Sequence, residues 1–265
     1  MKQHFLVLLQ ALPPNRLLRH AGELAQTLNC SLDALYVCEP MAPIVTELLT
    51  AERPDLDTVR AAGQQFKEWS ESTRLTSARW LAAEGHVVDV LKRTADWHDL
   101  LILQRDDGSA WGLSSAIGRL IVELNMPVLV LPSGYANSAR LETVIIAWNG
   151  TPEATRALHC ALPFLRKARR CLLLRGQPSR TLADANQELF DLDDYLKRNG
   201  VVVEALPMPD SAHLSAERLF EWLVESQADL LVMGGYGRSQ FSEWLFGGLT
   251  RSVLEACPIP VLMRH

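Results

Sequence analysis

The chain has 265 residues, 48% hydrophobic and 22% charged, an ordinary globular composition with room for one large α/β domain or two of common size. A net charge of −5 and a pI near 5.8 argue against nucleic-acid and anionic-membrane partners, both of which need a basic surface. No uninterrupted apolar run reaches membrane-spanning length, and Met1 to Gln10 has a short apolar core without a cleavage-like small-residue site, so a cytoplasmic protein is expected. The five cysteines are odd in number, form no C-x-x-C and lie mostly in apolar runs, which points to reduced core residues. Seven scattered histidines have no ligand spacing, so no metal site of the protein's own is expected.

Short apolar runs alternate with amphipathic stretches along the whole chain, the pattern of a parallel sheet covered by helices. The first half predicts strand 5–10, helix 15–29, strand 32–38, helix 56–75, strand 77–83, helix 86–96, strand 100–104, helix 114–125 and strand 128–132. The second half predicts strand 143–148, helix 153–168, strand 170–175, helix 182–198, strand 201–206, helix 215–227, strand 229–234, helix 249–256 and strand 260–264. Leu100-Leu101-Ile102-Leu103 and Leu230-Leu231-Val232-Met233 are apolar at every position, so both faces of those strands should be covered.

The two halves superimpose as an internal repeat. Leu6-Val7-Leu8-Leu9 falls on Val144-Ile145-Ile146-Ala147, and Pro14 on Pro152, at one offset; Met126-Pro127-Val128-Leu129 falls on Ile259-Pro260-Val261-Leu262 at a slightly shorter one. Two domains are expected, 1–133 and 140–265, joined by the small polar stretch Ser133-Gly134-Tyr135-Ala136-Asn137-Ser138.

The strand at 229–234 breaks into Gly234-Gly235-Tyr236-Gly237, and a second pair, Gly247-Gly248, precedes the next helix. Glycines at a strand-to-helix junction allow positive φ and close approach of a ligand to the main chain, and the free amides of a helix start hold phosphate. The same glycines also serve as turn punctuation. The spacing Gly234-x2-Gly237-x9-Gly247 resembles the universal stress protein family, whose nucleotide-binding members carry G-x2-G-x9-G-[ST]. The flanks, Ala228 to Met233 before it and Cys257-Pro258-Ile259-Pro260-Val261 after it, resemble that family too.

The resemblance implies two tandem doubly wound α/β domains of adenine nucleotide alpha hydrolase-like fold, each with a five-stranded parallel sheet of order 3-2-1-4-5. Ligands in such sheets sit at the carboxyl ends of the strands, at the switch point. It further implies a stress-response protein that binds an adenine nucleotide, ATP with Mg2+, as a switch and not as a fuel; no enzyme is expected, with slow hydrolysis of bound ATP as a third reading. Carried onto this sequence, the site residues are Ala147, Asn149, Arg175, Gly234, Gly237, Arg238, Gly247, Gly248, Leu249 and Thr250. The last strands of the two repeats would pair, with further homodimerisation through sheet edges.

Two departures weaken this site. Gly248 stands where the family has Ser or Thr, which removes a charge-assisted hydrogen bond of about 1.5–3 kcal/mol; Thr250 is the nearest hydroxyl able to compensate. Asn149-Gly150-Thr151 replaces the family's D-[GF]-S, leaving open whether Asn149 meets the nucleoside or only builds a turn. The first repeat lacks the glycine spacing at Gln104 to Gly112, and Ser114-Ser115 remain as helix N-caps. A scaffold of the same fold without nucleotide is the alternative. No P-loop, dinucleotide fingerprint, nucleophile elbow or catalytic carboxylate pair is present.

Overall fold

The structure, a computed structural model, describes residues 2–39, 54–75, 77–105, 112–175, 191–206, 215–236 and 247–265. The chain divides into two compact units, Met1–Leu103 and Gln104–His265. Both are built from alternating strands and helices on mostly parallel sheet, as the sequence predicts.

The first unit runs β1 (His4–Leu9), α1 (Arg16–Leu28), β2 (Ser31–Cys38), α2 (Leu56–Ser72), β3 (Ala78–Glu84), α3 (Val87–Thr94), a 3-10 turn (Ala95–Trp97) and β4 (Leu100–Gln104). Its strand order is β3-β2-β1-β4, all parallel. Asn15 starts α1 by accepting the Leu18 amide at 2.8 Å, and Asn29 ends it in the left-handed region. The helix expected over 86–96 closes at Thr94 and tightens into the 3-10 turn before β4.

The second unit runs α4 (Ser114–Glu123), β5 (Val128–Leu131), β6 (Thr143–Trp148), α5 (Pro152–Leu165), β7 (Arg170–Arg175), α6 (Leu192–Arg198), β8 (Val203–Leu206), α7 (Ala216–Glu225), β9 (Leu230–Gly234), α8 (Gly247–Ala256) and β10 (Val261–Arg264). Its order is β5-β10-β9-β6-β7-β8. The five strands of the second repeat therefore stand in the expected order 3-2-1-4-5, read from β8 to β10. β5 adds to their edge antiparallel, with Val261 opposite Val130, Leu262 opposite Leu129 and Met263 opposite Val128. This is the expected pairing of the last strands.

Three further differences from the sequence reading have local reasons. β8 begins at Val203 and not at 201, because the Val201 amide closes the end of α6 on Leu196 O, with Gly200 at φ 76°. α8 begins at Gly247, so the glycine pair lies in the first helical turn. The N-cap of α4 is Leu113, which makes no side-chain cap bond, so Ser114 and Ser115 are the first helical residues and not caps. The part of the helix expected at 182–190 lies outside the described residues.

The all-apolar strands behave as expected: Leu100 to Leu103 and Leu230 to Met233 are buried throughout. No helix among the described residues is long and apolar enough to cross a membrane.

The first unit buries a charged cluster at the amino ends of its strands. Asp33 on β2 is almost fully buried and receives Arg79 Nε at 3.0 Å, the Arg79 terminal nitrogen, and His98 Nε2 at 3.0 Å; His98 Nδ1 lies 2.8 Å from Thr94 O. Burial alone would raise the Asp33 carboxyl, but the hydrogen bonds from His98 and Arg79 outweigh it and hold the group below the usual value near 3.8. A depressed carboxylate stabilises the fold above its unfolded value, and that contribution is lost as pH falls through the folded value. Asp33→Ala should cost about 3 kcal/mol in urea unfolding at pH 7, because it leaves His98 buried without its acceptor. Asp33→Asn should flatten the loss of stability seen below about pH 4 in the parent chain.

Candidate functional site

At the switch point of the second repeat, β6 lies between β7 and β9, with Ala147 opposite Met233 and Trp148 opposite Arg175. The chain leaves β6 through Gly150, at φ 78°, and enters α5. Asn149 Oδ1 accepts from the Thr151 amide at 3.3 Å and from Thr151 Oγ1 at 2.9 Å, while Thr151 Oγ1 accepts the Ala154 amide at 3.3 Å. The carbonyl oxygen of Asn149 is thus taken up in the turn that starts α5. Its amide NH2 is the end left to meet a nucleoside. Trp148 donates its indole N–H to Thr155 Oγ1 at 3.4 Å, on the α5 side. Arg175 ends β7 and forms an ion pair with Asp193 of α6 at 2.7 Å.

On the glycine side, β9 ends against the first turn of α5. A Cβ on Gly234 would lie 2.6 Å from the Ala154 nitrogen and 2.8 Å from the Glu153 carbonyl carbon, so only glycine fits. The Gly235 amide donates to Arg264 O at 3.0 Å, and a Cβ there would lie 3.1 Å from Ile121 of α4. Tyr236 follows at φ 52°. Its phenol lies over Gly118 of α4, where a Cβ would run into the hydroxyl and stand 2.8 Å from Cζ. Burial raises the Tyr236 phenol above its ordinary range, with Arg251 opposing and Glu255 reinforcing the shift.

Gly237 and Arg238 lie outside the described residues, as do Phe241, Trp244 and Phe246. α8 resumes at Gly247. Gly248 is exposed, and a Cβ there would meet nothing within 4 Å, so the helix start is open on that side. Leu249 is half-buried. Thr250 is only 3% exposed, which turns its hydroxyl into the fold and away from the open side where Gly248 lacks one. Arg251 is exposed and bonded to Glu255 at 2.7 Å.

A cleft of about 680 Å³ runs between α4 and α8, lined by Ser114, Ser115, Gly118, Arg119, Tyr236 and Arg251 among others. Arg105, buried, donates to the carbonyls of Leu254 at 3.0 Å and Cys257 at 3.2 Å, holding the carboxyl end of α8.

Sequence reasoning missed Tyr236, Gly118 and Arg105 as members of this region. Gly118, an isolated glycine inside a helical pattern, was the one visible signal.

Two substitutions test the junction. Thr151→Ala should destabilise the chain by about 1 kcal/mol through the lost cap of α5. Gly234→Ala should cost about 2 kcal/mol or more, because the obstacle is backbone and cannot rotate away. Denaturant unfolding of both variants checks the order of the two effects.

Known proteins were compared with the chain and its fold. The model of the universal stress protein family matches residues 215–265. No curated protein sequence matches the chain. Among solved structures, a universal stress protein from Archaeoglobus fulgidus is similar over 99% of this chain and 96% of its own, with TM-score 0.64 and 13% identity. A putative universal stress protein from Pseudomonas aeruginosa is similar over 99% of this chain and 93% of its own, with TM-score 0.59 and 17% identity. A protein of unknown function from the same organism covers 99% and 92%, with TM-score 0.59 and 16% identity. The matched segment at 215–265 holds α7, β9, α8 and β10, and the chain is similar in fold to these universal stress protein structures over 99% of its length.

Proposed function

We propose that the chain is a cytoplasmic stress-response protein whose second repeat binds an adenine nucleotide weakly, ATP with Mg2+, as a switch and not as a catalyst. The observation that carries this reading is the start of α8. Its first-turn amides have no carbonyls behind them in the helix, and Gly248 leaves the approach open. An anion placed there meets N–H groups and the positive end of the helix dipole. Asn149 supplies an amide at the neighbouring strand end but no carboxylate, so Mg2+ in this reading is held by the phosphates alone.

The rival reading, a scaffold that acts through protein partners without nucleotide, is favoured by the commitment of Asn149 Oδ1 to its own turn. In both readings a homodimer is expected. Strands β5 and β10 pair with one another within the second unit, so a dimer through sheet edges would not use β10; β8 stands at the far edge of that unit.

Gly248→Ser separates the readings. The added hydroxyl has room and restores one charge-assisted hydrogen bond, so calorimetric titration should find ATP bound about one to two powers of ten more tightly than by the parent chain. Gly237→Val should abolish the heat. If neither the parent nor Gly248→Ser binds up to millimolar ATP with magnesium, the nucleotide reading falls. An ATP mass released from a native preparation of the chain would reject the scaffold alternative.

A further inference from the structure

Asp33, Arg79 and His98 form a charged cluster in the first unit, and the second repeat is built without its counterpart. At the offset that lays Leu6 on Val144, Asp33 falls on Cys171. The register partner of Asp33 on β3 is Arg79, and that of Cys171 on β8 is Val203. His98-Asp99-Leu100-Leu101 falls on Ala228-Asp229-Leu230-Leu231, which sets His98 on Ala228. Asp99 and Asp229 support that match, since each accepts an amide at the start of its repeat's first strand, His4 N at 2.8 Å and Thr143 N at 2.9 Å. Cys, Val and Ala thus stand where the first repeat has three charged side chains. Apolar residues at such positions commonly equal a buried charge cluster in stability, so the fold itself does not require the charges.

The hydrogen bonds of His98 fix where its protons are. Its side chain is 3% exposed, and both ring nitrogens face oxygens that only accept: Nδ1 lies 2.8 Å from the Thr94 carbonyl and Nε2 3.0 Å from Asp33 Oδ2. A neutral imidazole has one N–H and would turn a lone pair on one of those oxygens. Asp33 does not supply the missing proton. Burial would raise its carboxyl, but the bonds from His98 and Arg79 hold it below its ordinary value, so it is ionised at neutral pH. Of the other elements joined at this cluster, β3 contributes Arg79, and β1 contributes His4, whose Nδ1 lies 2.6 Å from Ser31 Oγ. Lys92 and Arg93 at the end of α3, Asp96 in the 3-10 turn and Asp99 after it are exposed, so water and salt screen them from the ring.

We propose that His98 carries a proton on both ring nitrogens in the folded chain, that the second proton pins the 3-10 turn to β2, and that its loss on alkalisation loosens the turn. With both protons present, one ring ties Thr94, the last residue of α3, to Asp33. Without the second, one of the two bonds becomes a lone pair facing an oxygen, and Ala95–Trp97 loses its tether. A cation favoured by the folded state stabilises it at low pH, and that contribution disappears as pH rises past the point where the folded chain releases the proton. The sign is opposite to that of Asp33, whose contribution is lost on acidification. The cluster therefore favours the folded first unit over a pH window closed at both ends.

The test is NMR of the full chain carrying nitrogen-labelled histidine, with the His98 ring assigned by its contact to Thr94, alongside urea unfolding from pH 6 to pH 9. At pH 7.5 both His98 nitrogens should read as N–H, and on raising the pH the Trp97 amide should shift with the same midpoint as the ring. Asp33→Asn can offer an amide N–H to a neutral ring. In that variant one His98 nitrogen should read as bare at pH 7.5, and the fall of the folding equilibrium constant from pH 6 to pH 9 should be about tenfold smaller than in the parent. A single N–H on the parent ring at pH 7.5 would overturn the proposal. A Trp97 amide that does not follow the ring would overturn it too, and that measurement needs no variant, so it decides the matter if Asp33→Asn does not fold. Equal pH dependence in the parent and a folded Asp33→Asn would mean that the proton pins nothing, which rejects the switch.

Discussion

The antiparallel pairing of β5 with β10 is the constraint on which the second unit depends. Val128, Leu129 and Val130 face Met263, Leu262 and Val261, all six are buried, and neither strand carries a charge within the paired stretch. Left open, either edge would be a template for aggregation; paired, each covers the other. The pairing also brings α4 and α8, the helices that precede the two strands, side by side across their shared cleft.

Those contacts are not symmetric, although the sequence repeat is. Leu100 to Gln104 corresponds to Leu230 to Gly234, which makes Gly235 the counterpart of Arg105. Their amides do the same work, Arg105 N bonding Leu131 O and Gly235 N bonding Arg264 O. Their side chains divide the labour. Arg105 reaches across to the last carbonyls of α8 and holds that helix by its carboxyl end, while glycine at 235 lets Ile121 of α4 close in. The repeat without a glycine motif has exchanged it for a structural cation, which neutralises the negative end of the helix whose amino end is the candidate phosphate site. Arg264 adds a weaker tie in the other direction, to Asn125 just past α4.

The features legible in the sequence were those with local causes. Runs apolar at every position gave the doubly covered strands, and the helices expected over 15–29 and 153–168 are present, capped by Asn15 and Thr151. What sequence could not fix were choices between two local outcomes decided elsewhere. Asn149-Gly150-Thr151 suits a ligand-facing loop and an Asx turn equally well, and only the hydrogen bonds reveal that the oxygen is spent inside. The Gly247-Gly248 pair resembles a loop before a helix, yet it forms the first turn, where the cost of glycine is small because few helical bonds depend on it. Gly118 is an isolated glycine inside α4. Its reason is Tyr236, 118 residues later, and no window of neighbouring residues contains it.

The balance at α8 decides what kind of nucleotide site this chain could have. Main-chain amides at a helix start are contributed by the fold and survive any change of side chain, whereas the hydroxyl at 248 and the carboxylate at 149 are side-chain contributions, and both are absent. Thr250 does not replace the first, because it is buried. Under the proposed reading, a site reduced to its backbone part would meet phosphate through main-chain amides and grip it loosely. Loose binding exchanges readily as the nucleotide concentration changes. Under the proposed nucleotide reading, loose binding would suit the chain to reporting nucleotide level.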